Sequence, residues 1–143
     1  MVWSYNFIEH TADIAVEVSG DSYEELFIAA ANAWKESAVE TVNAVFSGKK
    51  EIKLEETSLE ELLVGFLSEL NFILLYGKWL PVKLQSISIS KEDNFWKAKI
   101  LIEGTAFNNL RQIIKREIKA ITFHQMDIKI VNGKYFTRIV FDI

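Results

Sequence analysis

Apolar residues recur along this chain with two periods, and each change of period marks a new element. Ile14, Val16 and Val18 alternate with Ala15, Glu17 and Ser19, which predicts a strand over residues 14–19 with one face buried. Gly20-Asp21 ends it. Leu26, Phe27, Ala30, Ala33 and Trp34 then fall on one side of a helix. Ser22 and Glu25 form a capping box at its start, the serine hydroxyl taking a free backbone N–H and the glutamate reaching back. Ser58 and Glu61 repeat that signature before Leu59, Leu62, Leu63, Phe66, Leu67 and Leu70, with Gly77 as the expected C-cap. A short strand is predicted between the helices near residues 51–54. Two long strands follow over 82–90 and 95–103, joined through Glu92-Asp93-Asn94, and a short third helix follows Asn108-Asn109.

The last segment is more specific. Met126, Ile128 and Ile130 alternate with Asp127 and Lys129, and Asn132-Gly133 is a two-residue hairpin signal before a strand that runs to the end. That loop sets a register: Val131 opposite Lys134, Ile128 opposite Thr137, Asp127 opposite Arg138, His124 opposite Phe141 and Phe123 opposite Asp142. Directly opposed residues share a face. His124 would then lie on the apolar face as a structural histidine, and Asp142 would point away from it. Ile143 would anchor in the core and hold the chain end still.

Half of the 143 residues are hydrophobic, and no linker interrupts them, which suggests one folded domain over 1–143. The elements make it an α+β fold, with mixed sheets packed against two main helices in strand-helix-strand-strand modules. The net charge of −4 argues against a broad electrostatic footprint on nucleic acid, and no sequence-specific binding to it is expected. The absence of cysteine removes disulfides, zinc ribbons and thiol nucleophiles together. The N-terminus lacks a basic-then-apolar leader, and the apolar stretch around 70–75 is too short to cross a bilayer, so a cytoplasmic protein without membrane contact is expected. No P-loop, nucleophile elbow or dinucleotide fingerprint appears. A metal-dependent hydrolase built on His10 and nearby carboxylates would need a nucleophile or water site that the sequence does not show. The chain does not read as an enzyme, and no catalytic residue is assigned.

Candidate chemistry gathers at the two ends. Asp13 heads the first predicted strand; Asp142 and the terminal carboxylate of Ile143 finish the last. Together they would make a hard, oxygen-rich site suited to a divalent cation such as Ca²⁺. Each also has a plainer reading: Asp13 as a turn cap, Asp142 as a solvated strand end. His10 stays open as a ligand or a general base.

His10-Thr11-Ala12-Asp13-Ile14, the Glu117-Ile118-Lys119-Ala120-Ile121-Thr122-Phe123-His124 block and the terminal Val140-Phe141-Asp142-Ile143 together resemble the archease family. The Leu62-Leu63…Phe66-Leu67-Ser68-Glu69-Leu70 helix is similar to its leucine-rich helix, and the resemblance spans essentially the whole chain. It implies an accessory factor of an RtcB-type RNA ligase, which joins tRNA halves in tRNA splicing. Such a factor promotes ligase guanylylation from GTP and multiple turnover, and is not itself a ligase. The resemblance also implies a divalent cation, Ca²⁺, held by Asp13, Asp142 and the Ile143 carboxylate. The alternative is a general protein-binding or chaperone-like modulator of RNA-processing enzymes. Two positions depart from the family pattern: Gly104-Thr105 stands where Gly-Glu is frequent, and Gly133-Lys134 where Gly-Trp is usual.

Overall fold

The computed structural model describes residues 2–8, 13–40 and 45–143. Its elements run β1 (Trp3–Ile8), β2 (Asp13–Gly20), α1 (Tyr23–Ala38), β3 (Gly48–Glu56), α2 (Leu59–Leu75), β4 (Trp79–Glu92), β5 (Phe95–Ala106), α3 (Leu110–Ile113), β6 (Ala120–Thr122), β7 (Lys129–Val131) and β8 (Lys134–Asp142). One sheet has the order β1-β2-β8-β6, with β7 also on β8, and the other has the order β3-β5-β4. Every pairing described is antiparallel. The fold is α+β, as expected.

Both main helices begin with the serine half of the capping box, while Glu25 reaches back to the Asp21 N–H at 3.3 Å and Glu61 to the Thr57 and Ser58 hydroxyls at 2.9 and 3.1 Å. The Ser22 and Ser58 hydroxyls accept from the Glu25 and Glu61 backbone N–H at 3.1 and 3.0 Å. Each helix touches both sheets: α1 meets β1, β2 and β8 on one side and β4 on the other, while α2 meets β3, β4 and β5 as well as β6. The helical faces read from sequence are buried, and Phe27 of α1 stacks on Phe66 of α2 at 5.8 Å. Burial of side chains this size, each worth about 1.5–3 kcal/mol, drives the two sheets onto one shared core.

Polar links cross that core at two places. The buried Asn71 carboxamide accepts from Trp34 Nε1 at 3.0 Å and donates to the Ile118 carbonyl at 2.8 Å, tying α1, α2 and the approach to β6. Lys35, half-buried at the end of α1, donates from Nζ to the Val82 carbonyl of β4 at 2.9 Å. Burial lowers its pKa from the ordinary lysine value.

Three local expectations change. β1 is an additional strand, with Trp3, Tyr5 and Phe7 alternating along it and pairing with β2. After α2 it is Lys78 that takes the left-handed conformation, at φ 51°. Gly77 is required there for space, since a Cβ would sit 2.7 Å from the Ile73 carbonyl oxygen. Pro81 lies in β4, on an edge and beside a break in register, where a missing N–H is tolerated.

The largest difference concerns the final hairpin. The turn is Asn132-Gly133 with both φ positive, and Val131 opposes Lys134 as expected. The register then breaks. Ala120, not Phe123, opposes Asp142, and Ile121, not His124, opposes Phe141. Nor do Ile128 and Asp127 pair as strand residues with Thr137 and Arg138. The cause is a turn: Met126 N–H donates to the Phe123 carbonyl at 3.0 Å, with Gln125 at φ 64°. Side chains hold the displaced backbone, Glu60 accepting from Ile128 N–H at 2.9 Å and Thr137 from Asp127 N–H at 3.0 Å. His124 is therefore exposed rather than in the core.

Candidate metal centre at the chain end

β2 and β8 run antiparallel side by side, and their pairing begins with Asp13 opposite Asp142. Alternation then sorts the two strands. Ile14 and Phe141, Val16 and Ile139, and Val18 and Thr137 face the core, where Val16, Val18, Ile139, Phe141 and Thr137 are all buried. Asp13 and Asp142 share the opposite face with Ala15 and Val140, then Glu17 and Arg138. Asp142 thus points away from the apolar core, and the corrected register leaves that orientation intact because it comes from β2.

Opposed side chains in an antiparallel pair have Cβ atoms about 4.5–5.5 Å apart, and like charges there are destabilising. Two carboxylates in that relation, one residue from a third at the chain end, form a donor set of hard oxygens. Its chemistry fits a divalent cation of the calcium type. Further along the face, Arg138 is already engaged: Nη2 meets Glu17 Oε2 at 3.1 Å and Nη1 donates to Gln125 Oε1 at 3.3 Å. It balances Glu17.

On its other side Asp142 is held by the strand that sequence reasoning misplaced. Ala120 opposes it, and Lys119 N–H donates to the Asp142 carbonyl at 2.7 Å. The signal for this was the pair Ile118 and Ile121, both buried, which mark the apolar side of the segment before the turn. Ile143 departs from expectation. β8 stops at Asp142, and Ile143 is 36% exposed rather than anchored in the core. The backbone of Asp142 is held by Lys119 N–H, and Ile143 lies beyond the strand.

Glu9, His10, Thr11 and Ala12 lie outside the described residues, so the structure tests no role for His10. Among the described residues, no three His, Cys, Asp or Glu side chains gather as a metal cluster. The candidate centre draws two side chains, Asp13 and Asp142, from them.

The comparisons with known proteins agree along the whole chain. A model of the archease protein family matches residues 5–143. Protein archease from Methanosarcina mazei is 31% identical over 97% of this chain and 95% of its own length. Protein archease from Pyrococcus abyssi is 34% identical over 94% and 95%. Among solved structures, Methanobacterium thermoautotrophicum protein 1598 superposes with a TM-score of 0.80 over 97% of this chain and 98% of its own, at 24% identity, a likeness of fold. An archease from Thermotoga maritima, described as a possible chaperone, superposes with a TM-score of 0.62 at 30% identity, over 95% and 94% of the two chains. This chain belongs to the archease family.

Proposed function

We propose that this protein is a metal-binding accessory factor of an RtcB-type RNA ligase in tRNA splicing, promoting ligase guanylylation and multiple turnover. Asp13, Asp142 and the terminal carboxylate of Ile143 hold the cation, Ca²⁺ or a similar hard divalent ion. The observation that carries the reading is the direct opposition of Asp13 and Asp142 beside the chain end, in a chain of this family. A cation bound there neutralises the opposed carboxylates and offers positive charge at the protein surface, where phosphate oxygens are natural ligands. The chain's own part is to hold the carboxylates in place. β2 fixes Asp13, β8 fixes Asp142, and Lys119 N–H fixes the last peptide. The role is that of an activator, with no reaction catalysed by the protein alone.

Calcium titration by calorimetry, run beside guanylylation and multiple-turnover ligation assays, tests this. Asp13→Ala and Asp142→Ala should each weaken cation binding by roughly tenfold or more, since a hard cation loses one of few anionic donors. Both should abolish stimulation of the ligase while the protein stays folded. A residue appended after Ile143 should do the same, because it replaces the terminal carboxylate by an amide carbonyl. Stimulation equal to wild type in all three variants would reject the site. A chaperone-like role is the second reading, favoured by the description of the Thermotoga maritima relative. It requires several unrelated RNA-processing enzymes to be stimulated, where the leading reading requires one.

A further inference from the structure

The sheet β1-β2-β8-β6 stops at β6, and among the described residues no strand continues it. Beside this edge lies an open groove of about 450 Å³. Residues 117–121 form one side, and Ser68 and Phe72 of α2 with Tyr76 just past its end form the other. Past Tyr76 and Glu117 the groove runs into a second hollow of about 440 Å³ that reaches Leu110 and Arg111 of α3.

Two features of this groove are not explained by folding. Phe72 and Tyr76 are 57% and 75% exposed, on a helix whose core-facing residues are buried, and their rings contact each other at 5.2 Å. In addition, Arg111 and Lys119 line the two hollows and are exposed, on a chain whose net charge is −4.

We propose that the groove takes an extended acidic segment of a protein partner, which adds to the edge of β6 as a further strand. Main-chain hydrogen bonds to β6 supply affinity, and alternate side chains supply selectivity. Those facing inward are apolar and seat against Phe72 and Tyr76. Acidic residues between them meet Arg111 and Lys119. The same cations would attract phosphates, but an open strand edge beside two aromatic rings matches a polypeptide main chain with apolar side chains, which a nucleic-acid backbone lacks.

The test uses the full-length protein and a fluorescein-labelled peptide alternating glutamate and leucine over about eight residues, the length of an ordinary strand. Anisotropy should show saturable binding that weakens with added salt. The double variant Phe72→Ser with Tyr76→Ser should lose roughly tenfold or more in affinity, as removal of central aromatic anchors does. Arg111→Glu with Lys119→Glu should weaken binding by a similar factor, and N-methylation of alternate peptide amides should abolish it. All four substituted side chains are exposed, so thermal melts should match wild type. Equal binding of an alternating lysine–leucine peptide, or unchanged affinity in both variants, would overturn the proposal. So would an oligouridylate that binds wild type more tightly than the peptide and is lost in the same variants, which would assign the groove to nucleic acid.

Discussion

Asn71 shows how one polar residue can hold several elements together. It interrupts an otherwise apolar stretch of α2, yet it is buried with both ends of its carboxamide engaged, by Trp34 and by the Ile118 carbonyl. Asn71→Ala leaves an indole N–H and a carbonyl without partners in the core. Each such loss costs about 1–3 kcal/mol, so a total near 3 kcal/mol is expected. Urea unfolding followed by tryptophan fluorescence measures it, and a change under about 1 kcal/mol would mean that other groups take over both bonds. Asp13 and Asp142 stood out in the sequence as carboxylates at two strand ends, but their opposition rests on the pairing of β2 with β8, which the hairpin register did not give. His124 was not legible, because its facing depended on a strand that the chain leaves before reaching it.

At the scale of elements, what was readable followed from local chemistry. Both serine N-caps, the Asn132-Gly133 turn and the third helix after Asn109 stand where their residues put them. What was hidden depends on distant partners. The alternation of Met126, Ile128 and Ile130 fits a strand, but Glu60 of α2 and Thr137 of β8 capture the backbone between them and turn it away. The hairpin turn itself offers a prediction. Gly133 sits at φ +79° with open space where a Cβ would go. Gly133→Ala should therefore destabilise through backbone strain alone, by about 1–2 kcal/mol. A shift in thermal midpoint reads this cost. No shift would mean that the turn relaxes to another type.

For the whole molecule, the question is how two sheets become one unit, and Lys35 spans them from α1 to β4. Burial lowers its pKa below the ordinary 10.5, so the folded protein gives up this proton at lower pH than the unfolded chain does. Between those two values the unfolded state binds more protons, and stability rises with pH. Below that window the cost of the buried charge is present in full. The urea midpoint of wild type should accordingly gain on that of Lys35→Met as the pH rises toward the ordinary lysine value of 10.5. Tyr5 has its pKa raised, first by burial and then by Glu36, which works in the opposite sense at higher pH, but both proteins contain it and the comparison cancels it. Parallel curves would show that burial of Lys35 carries no cost.

The register break along β8 has a consequence for chain length. Thr122 pairs with Val140 and Lys129 with Phe136, so the six residues 123–128 span the same stretch as the three residues 137–139. The surplus is looped out at the surface, around an exposed Gln125. A hairpin without such slack would pass every inserted or deleted residue on to β6 as a flip of its two faces. Here the slack acts as an expansion joint. Lengths can drift in this loop over evolution, or a spectroscopic label can be spliced into it, while Asp13 and Asp142 keep their alignment.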